Sequence, residues 1–481
     1  MKNSVKIILL NPLFEYSRKS IYNVISKHDP PLGLIQLSAY LNQNNVSALV
    51  IDLNVEISNY SELPNFFKNL ISQYDITEET YFGIPFLTTF SKNSYELAFF
   101  IKKMFPKNKI VAGGAHATFM PNEVLENENI DFVVRGEGEI TTLELLQGKN
   151  INFIDGISYK EINDNEIKLK HNQCRKRIKD INILPIPDYK QLKIERYRPV
   201  LGSYKSLPAI NIITSRGCPG KCTFCCRTFG NYTSFLNAEK IFDIIKYLIN
   251  NFNVKQVNFY DDTFTLNKKR VIELCRLIIS NNIKIDWTCF SRVDKVDNDL
   301  LKLMKRAGCY QIMYGIENFN SDVLFDINKK INIEKAFEVI KLTKSNKINT
   351  RVSLLIGNPK DTTDILDYNL QQLRKMKPDI VVFNITTPFP GTELFNWAKS
   401  ENRLLTEDWS MYDGKQAVMK IDGMSEKQIY NYYHKMYFKF YFRLAFILVS
   451  IKNIQNFTIL ISYIKVFFLL LKFFIKRIFS R

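Results

Sequence analysis

Apolar runs alternate with helical stretches over residues 4–145, and this rhythm constrains the fold more than any other feature of the chain. Strands that alternate with helices predict a parallel sheet with helices on both faces. The predicted strands are Val5–Leu10, Ala48–Leu53, Tyr81–Phe86, Ile110–Ala112 and Asp131–Val134. The predicted helices lie around Leu32–Asn42, Leu63–Gln73, Tyr95–Phe105 and Asn122–Glu126. Five strands in this order predict a doubly wound α/β domain over residues 1–145, whose ligands bind beyond the carboxyl ends of the strands.

A second series of strands and helices follows a polar linker, residues 146–205. Its predicted strands are Ile210–Thr214, Gln256–Tyr260, Asp286–Phe290, Gln311–Tyr314, Thr350–Leu355 and Ile380–Ile385. Six such units predict a partial (β/α)6 barrel over residues 206–400, with its active groups on the loops after the strands. Residues 401–481 are predicted to form a helical C-terminal region.

Glycines follow the last two predicted strands of the first domain. Gly113 and Gly114 come after the fourth strand, and Gly136 and Glu137 belong to the Arg-Gly-Glu-Gly-Glu stretch after the fifth. Glycine allows a backbone to come close to a ligand, but it also serves ordinary tight turns. The residues alone leave both interpretations open.

Three cysteines follow the first predicted barrel strand: Cys218, Cys222 and Cys225, spaced C-x3-C-x2-C. No signal peptide opens the chain, so we expect a cytoplasmic protein whose cysteines are thiols or metal ligands. Three thiolates on one loop can hold three irons of a cubane and leave the fourth iron open to a chelating ligand. A zinc site would need a fourth Cys or His nearby, and the nearest histidine, His171, precedes the strand.

This motif resembles the defining motif of the radical S-adenosylmethionine (radical SAM) superfamily, which has an aromatic residue just before the third cysteine, here Phe224. The resemblance implies a [4Fe–4S] cluster that cleaves S-adenosylmethionine reductively to a 5′-deoxyadenosyl radical. It also implies an external electron donor such as flavodoxin or ferredoxin. The protein's part is to orient the cofactors and exclude side reactions. The adjacent Cys226 is predicted to pack beneath the cluster and not to bind it.

Charged residues follow the next predicted strands, where this superfamily places its contacts to S-adenosylmethionine. The resemblance implies that Asp261 and Asp262 approach the methionyl ammonium, that Arg292 meets a carboxylate and that Glu317 accepts hydrogen bonds from the ribose. Asn318 stands where the family's G-I-E-S element has serine. Structural roles remain open for each residue, because aspartates cap helices and Arg292 and Glu317 can form salt bridges.

The first domain resembles the Rossmann-like cobalamin (B12)-binding domain that precedes the barrel in one large branch of the superfamily. The matching stretches are Pro30–Leu34, Val111–Thr118 and Val134–Glu139. The resemblance implies that the four residues after the fourth and fifth strands contact cobalamin: Gly113, Gly114, Gly136 and Glu137. The D-x-H-x-x-G motif that supplies a histidine to cobalt in other cobalamin enzymes is absent, and His116 is predicted to be a loop residue.

The two resemblances together favour a cobalamin-dependent radical SAM methyltransferase that acts on an unactivated carbon. A different radical outcome on the same cofactors, such as cyclisation, oxidation or carbon–carbon coupling, is the alternative. A degenerate cofactor-binding sensor is a remote third interpretation, which the intact cysteines oppose.

The net charge of +18 is concentrated at the C-terminal end, because ten Lys and Arg residues and no acid follow Glu426. No nucleic-acid-binding signature accompanies this charge. Residues 457–471 are almost wholly apolar, but Lys465 interrupts them, which opposes a transmembrane helix. We expect the tail from about Tyr430 to lie in the membrane interface, which would make a lipid-like substrate more plausible. Packing of the tail on the barrel is the alternative.

Overall fold

The computed structural model describes residues 3–14, 29–163, 166–200 and 202–442. These residues form two large sheets, one of seven strands and one of six, together with two small two-stranded pairs. The larger sheet precedes the smaller one along the chain. The predicted α/β class is confirmed.

The first sheet has five parallel strands at its centre: β1 (Ile7–Asn11), β2 (Ala48–Asp52), β3 (Tyr81–Pro85), β4 (Ile110–Gly113) and β5 (Phe132–Val134). The helices of this domain are α1 (Leu32–Gln43), α2 (Leu63–Gln73), α3 (Ser91–Met104), α4 (Ala115–Phe119), α5 (Pro121–Glu126) and α6 (Gly138–Leu146). The strands lie in the order β2-β1-β3-β4-β5. Strand order reverses between β1 and β3, so the ligand crevice lies beyond the carboxyl ends of these strands.

An antiparallel hairpin extends this sheet beyond β5. Its strands are β6 (Ile157–Asn163) and β7 (Glu166–His171), and β6 pairs with β5 in antiparallel register. The linker predicted over residues 146–205 is therefore partly regular structure that belongs to the first sheet. The sequence does not reveal β7 as a strand, because most of its residues are polar or charged and exposed. A strand at the edge of an antiparallel sheet does not need apolar residues on both faces.

The second sheet is wholly parallel and follows chain order. Its strands are β8 (Ala209–Ile212), β9 (Gln256–Phe259), β10 (Asp286–Ser291), β11 (Cys309–Glu317), β12 (Asn349–Ile356) and β13 (Ile380–Ile385). The main helices between and after them are α7 (Ala238–Phe252), α8 (Lys268–Ser280), α9 (Asn298–Arg306), α10 (Ile333–Ser345), α11 (Thr363–Met376) and α12 (Glu393–Ser400). This is the predicted partial barrel.

Alternation along the barrel strands divides an apolar face from a polar one. Ile210 and Val257 join the core that packs beneath the surrounding helices, together with Leu248 of α7 and Leu274 of α8. The alternate residues of the same strands face the barrel interior. The helices begin where Asn and Asp side chains accept hydrogen bonds from their first turns, as Asn237 does for α7.

A segment before β8 closes the amino end of the barrel. The amide of Gln256 accepts hydrogen bonds from the backbone N–H groups of Lys205 (2.7 Å) and Ser206 (3.2 Å). The Gln311 amide donates to the carbonyl oxygen of Gly202 at 3.0 Å. With this end closed, ligands have access from the carboxyl ends of the strands.

The last described helix, α13 (Glu426–Tyr441), packs on the outside of the barrel. Ile429, Tyr433, Met436 and Phe440 are buried in the barrel core. For these residues the structure favours the alternative of barrel packing over the predicted membrane interface. No helix within the described ranges is long and apolar enough to cross a membrane. The rest of the predicted interfacial tail, residues 443–481, lies outside the described residues.

Candidate active site

A short antiparallel ribbon begins three residues after β8 and pairs Ser215–Arg216 with Ser234–Phe235. The cysteine loop, residues 217–233, connects the two strands of this ribbon. Gly217, at its start, has φ +91°. A Cβ on Gly217 would lie 2.3 Å from the carbonyl oxygen of Tyr232, so a side chain cannot fit without moving backbone. The close approach of these two backbone segments fixes the backbone position of the next residue, Cys218.

Cys218, Cys222 and Cys225 are free thiols on one loop. A hydrogen bond with Cys225 and the nearby Lys329 ammonium lower the pKa of Cys222 to about 6, against the opposing effect of burial. The Cys218 thiol instead accepts a weak hydrogen bond from the Gly220 N–H at 3.4 Å. The hydrogen bond between Cys222 and Cys225 raises the pKa of Cys225, so the first thiolate of this pair forms on Cys222, near the Lys329 ammonium, and thiolate is the form that binds metal.

The donor set fits an iron–sulfur cubane better than a single ion. Across the described part of the chain, no three His, Cys, Asp or Glu side chains are close enough together to hold one metal ion. Each thiolate of a cubane binds a different iron, so its ligands must stand farther apart than the ligands of one ion. Three cysteines on one loop supply one ligand for each of three irons of a cubane.

Glu317 and Lys329 form a buried ion pair beside the cysteine loop. The Lys329 ammonium lies 3.1 Å from one Glu317 oxygen, and the Ser353 hydroxyl donates to the other at 3.0 Å. Glu317 has φ +68° at an irregularity in the pairing of β11 with β12. A non-glycine residue in this conformation is strained, and such strain is typical of functional sites. The predicted ribose contact of Glu317 remains a prediction; Lys329 was not predicted.

The structure gives Asp261 a different role from the predicted contact with the methionyl ammonium. Its carboxylate is fully buried and pairs with Arg270 at 3.1 Å. It also accepts hydrogen bonds from the hydroxyl and the backbone N–H of Thr214. Asp261 therefore anchors the end of β8 and is not free for a ligand, whereas the neighbouring Asp262 is exposed.

The other predicted contacts to S-adenosylmethionine lie around the loop. Phe224 packs half-buried against the barrel core. Arg292 donates to the Asp294 carboxylate at 2.8 Å and to the Lys330 carbonyl at 2.7 Å. Asn318 donates to Asp361 at 3.0 Å, which joins the turns after β11 and β12. Cys226 is exposed, as Cys225 is, with its sulfur 3.8 Å from the Pro390 carbonyl oxygen, and its packing beneath the cluster stays a prediction.

The loops after β4 and β5 form the predicted cobalamin edge. Gly114 has φ +98°, and a Cβ there would lie 2.8 Å from the carbonyl oxygen of Phe86. Gly136 has φ +73°, and a Cβ there would meet no atom within 4 Å. Gly114 is thus required for packing, whereas the Gly136 backbone faces open space that a ligand could occupy. Gly113 lies at the end of β4, with ordinary van der Waals spacing to Val134.

Glu137 points to the barrel instead of the predicted cobalamin site. Arg216, two residues before Cys218, donates to Glu137 at 2.8 Å and to Glu139 at 2.5 Å. The three side chains are between 5% and 12% exposed. Glu137 also accepts a hydrogen bond from the Ile178 N–H at 2.6 Å. This cluster joins the cysteine loop to the loop after β5, and we call it the Arg216 bridge.

His116 is a fully buried residue of α4, and the prediction of a loop residue is wrong. Its Nδ1 lies 3.3 Å from the Thr88 hydroxyl and its Nε2 lies 3.3 Å from Glu123. Trp409 donates to the same Glu123 oxygen at 2.9 Å and contacts the His116 ring edge to face. These contacts leave both ring nitrogens engaged, which agrees with the expectation that His116 does not bind cobalt.

A chain of amide hydrogen bonds runs through the barrel interior and ends on Asp29. Gln256 donates to Asn258 at 2.6 Å, Asn258 donates to Asn211 at 2.9 Å, and Asn211 donates to the Asp29 carboxylate at 2.7 Å. Asp29 precedes α1 and belongs to the first domain. These amides carry no sequence signal of their own, because a buried asparagine or glutamine in a strand such as Gln256–Phe259 is recognisable only once the strand is known to face a polar interior.

Comparison with known proteins identifies both sheets. Residues 212–390 match the family model of the radical SAM superfamily, and residues 21–146 match that of the B12 binding domain. A methyltransferase of Pyrococcus horikoshii is 32% identical over 440 residues, which cover 90% of this chain and 92% of that protein.

Two further proteins show how far the likeness extends. The anaerobic magnesium-protoporphyrin IX monomethyl ester cyclase of Rubrivivax gelatinosus is 28% identical, over 68% of this chain and 60% of its own. The solved structure of the cobalamin-dependent S-adenosylmethionine radical enzyme OxsB superposes with a TM-score of 0.70, at 18% identity, over 97% of this chain and 70% of that one. The fold is thus shared over nearly the whole chain.

Proposed function

The chain belongs to the radical SAM superfamily, in the branch with an N-terminal B12-binding domain, and from this premise we propose that it methylates a carbon without an activating group. The Arg216 bridge is the observation that carries the proposal. It holds the cysteine loop against the ligand-binding edge of the B12-binding domain. A reaction that uses both cofactors requires these two elements side by side.

The cofactors of this family are a [4Fe–4S] cluster, S-adenosylmethionine and cobalamin. Cys218, Cys222 and Cys225 would hold the cluster, which when bound supplies the electron that cleaves S-adenosylmethionine, while cobalamin supplies the methyl group. Lys329 balances the negative charge of the thiolates, and its pair with Glu317 fixes its position. The open backbone at Gly136 would receive part of the cobalamin.

Radical cyclisation is the second candidate function. The likeness to the protoporphyrin ester cyclase supports it, because that protein matches this chain over 340 residues. The methyltransferase is more similar to this chain and matches it over more of both lengths. We therefore retain methylation as the proposal and cyclisation, oxidation or carbon–carbon coupling as its alternative.

Product analysis distinguishes the two. Anaerobically reconstituted holoenzyme is given reductant, S-adenosylmethionine and a small-molecule extract of cells that carry the gene. Methylation is expected to yield both 5′-deoxyadenosine and S-adenosylhomocysteine. Formation of 5′-deoxyadenosine without S-adenosylhomocysteine would contradict methylation and favour the alternative. The variant with Cys218, Cys222 and Cys225 all replaced by Ala should form neither, and a wild-type protein that behaves like it would support the sensor interpretation.

The cellular context is a further part of the proposal. We propose a cytoplasmic enzyme that takes its electron from a donor such as flavodoxin or ferredoxin and that has no nucleic-acid partner. Contact with the inner face of the membrane rests on the basic, apolar residues 443–481. The expectation of a lipid-like substrate depends on that contact, since the described helix α13 packs on the barrel itself.

A further inference from the structure

The polar chain inside the barrel is unusual for a structural interior. Asn211, Gln256 and Asn258 are fully buried, and the Thr288 hydroxyl donates to Asn258 at 2.9 Å. Buried amides stabilise a fold no better than apolar residues of similar size, because their desolvation offsets their hydrogen bonds. The interior of this barrel is therefore built for something other than packing.

The chain has a direction. Each amide from Gln256 to Asn258 to Asn211 donates its N–H to the next oxygen, and the last N–H is donated to Asp29. Aligned donors polarise one another and favour negative charge at the acceptor end. Burial raises the pKa of the Asp29 carboxyl to about 6, and the hydrogen bond from Asn211 opposes that rise, so that the carboxylate is the main form at neutral pH. The far end of the amide chain is held by the backbone of the segment that closes the barrel, where Gln256 donates to the Ser203 carbonyl at 3.0 Å.

The surroundings of Asp29 leave its carboxylate able to bind a ligand. Within the described part of the chain it accepts one side-chain hydrogen bond, from Asn211, and the residue is accessible to solvent. Tyr260, which follows β9, interacts electrostatically both with Asp29 and with Arg351 of β12. Neither forms an ion pair with Asp29 among the described residues. The Nε of Arg351 is buried and has no hydrogen-bond partner there either.

We propose that Asp29 binds a protonated amine of the substrate, so that this enzyme acts on an amine-bearing compound. The inference rests on the proposed function and names the substrate class of the same site. A carboxylate at the end of aligned donors, reached from the open end of the barrel, selects a cation or a strong hydrogen-bond donor. Phe290 contacts the Tyr260 ring at 5.3 Å between centroids and supplies an apolar wall beside it.

The position of Asp29 also explains why both domains are needed. The carboxylate comes from the B12-binding domain, and Asn211 and Tyr260 come from the barrel. A substrate amine held there lies between the two cofactor-binding elements. Asp29 is then a specificity-determining residue that positions the carbon to be methylated relative to both.

Isotope labelling tests the proposal. Wild-type holoenzyme, Asp29→Asn and the matched control Asp75→Asn, an exposed acid of the same domain, are each incubated with a cell extract and S-adenosyl-L-[methyl-D3]methionine. The labelled product from the wild type is expected to react with an amine-specific acylating reagent. Asp29→Asn should give roughly 10- to 100-fold less labelled product, as expected for loss of a charge-assisted hydrogen bond. Asp75→Asn should match the wild type.

Substrate-free cleavage of S-adenosylmethionine and cobalamin binding are measured on the same samples. Both should be unchanged within about twofold in Asp29→Asn, because among the described residues the hydrogen bond of Asp29 is to Asn211 of β8 and not to the cysteine loop or the loop after β5. A labelled product without an amine, full labelling by Asp29→Asn, or loss of cleavage in that variant would each overturn the proposal while leaving methylation intact. No labelled product from the wild type would overturn the proposed function itself, and the inference with it.

Discussion

Gly217 occupies a backbone position that no side chain can share. We predict that Gly217→Ala prevents assembly of the cysteine loop, because its Cβ would lie 2.3 Å from the Tyr232 carbonyl oxygen at φ +91°. Gly230→Ala is the matched control, since Gly230 also has positive φ, +63°, but has open space around its Cβ position. Iron and sulfide content after reconstitution should fall severely in Gly217→Ala and little in Gly230→Ala. Equal loading of the two variants would show that the steric argument is wrong.

We expect three of the four cysteines of the loop to bind the cluster and the fourth, Cys226, not to bind it. Replacing Cys218, Cys222 and Cys225 together by Ala should abolish the visible absorption of the cluster and all cleavage of S-adenosylmethionine. Cys226→Ala should retain both, because the Cys226 sulfur interacts with the Thr228 hydroxyl and the Pro390 carbonyl oxygen. Loss of the cluster in Cys226→Ala, with the cluster kept in Cys225→Ala, would reverse the assignment.

At the residue scale, sequence predicts those site residues whose spacing is local. Cys218, Cys222 and Cys225 could be found because one loop carries all three. Lys329, Arg351 and Asp29 could not, because each reaches the site from a different part of the chain and carries no pattern of its own. Glu137 shows the opposite failure: its motif is recognisable, but only the fold reveals that its carboxylate meets Arg216.

The Arg216 bridge should hold two structural elements together, the cysteine loop and the loop after β5. Arg216→Met would leave Glu137 and Glu139 buried and unpaired, which costs about 3–5 kcal/mol. We expect the two loops to separate. Relaxation enhancement of cob(II)alamin by the reduced cluster, measured by electron paramagnetic resonance, should weaken in this variant.

Removing all three charges provides the control for the bridge. The combination of Arg216→Met with Glu137→Gln and Glu139→Gln leaves no buried charge unpaired, and it should recover much of the stability lost in the single variant. If Arg216→Met alone keeps the wild-type relaxation enhancement, the bridge does not position the cofactor-binding elements.

Helix α13 protects the edge strand of the barrel with two hydroxyl groups. Tyr437 accepts a hydrogen bond from the Phe383 N–H at 3.2 Å and donates to the Phe383 carbonyl at 3.0 Å. Tyr441 does the same for Val381, at 3.1 Å and 2.6 Å. Residues four apart on the helix thus match residues two apart on β13. These hydroxyls replace the neighbouring strand that an edge lacks.

Replacing Tyr437 and Tyr441 with Phe should expose this edge. Each Phe leaves a backbone N–H and carbonyl without a partner, so we expect a loss of about 1–3 kcal/mol per site. Hydrogen exchange at the amides of Val381 and Phe383 should accelerate. Tyr368→Phe, an exposed tyrosine of α11, is the control and should leave both quantities unchanged. Unchanged exchange in the double variant would mean that the hydroxyls do not protect the strand.

At the element scale, every parallel strand of the two large sheets could be predicted, although the ends of some differ, as for β11, predicted as Gln311–Tyr314 and observed as Cys309–Glu317. The range predicted for the last barrel strand, Ile380–Ile385, agrees with β13 as observed. Parallel strands are buried on both faces and leave apolar runs that sequence reveals. The hairpin of β6 and β7 left no such run, because it lies at the sheet edge and its second strand is mostly exposed. It was therefore predicted as linker.

At the scale of the whole molecule, the two domains share one working interface. The Arg216 bridge, the Asp29 hydrogen bond to Asn211 and the contact of Trp409 with Glu123 all join the first domain to the rest of the chain. Each of them lies at or near the carboxyl ends of strands. Both ligand-binding edges therefore face each other, which is the geometry that a substrate shared between two cofactors needs.

The last prediction concerns the attachment of the molecule to a membrane. Residues 443–481 carry seven Lys and Arg residues and no acid, around the apolar residues 457–471. Basic residues near an anionic surface contribute about 1 kcal/mol each, and screening by salt removes most of that. We therefore expect the full chain to bind liposomes that contain phosphatidylserine at low salt and to release them at high salt.

The structure determines where the chain must be cut to test this. Truncation before Tyr430 would remove the tyrosines that cover β13, so that loss of binding could reflect unfolding. Truncation after Phe442 keeps helix α13 entire and removes only residues 443–481. The shortened protein should keep its cluster and lose liposome binding, and the variant with Lys465→Glu and Lys472→Glu should bind weakly. If the full chain ignores anionic liposomes at low salt, or if the shortened protein binds them equally well, residues 443–481 are not a membrane anchor. The expectation of a lipid-like substrate would then lose its only support, while the amine site at Asp29 would stand unchanged.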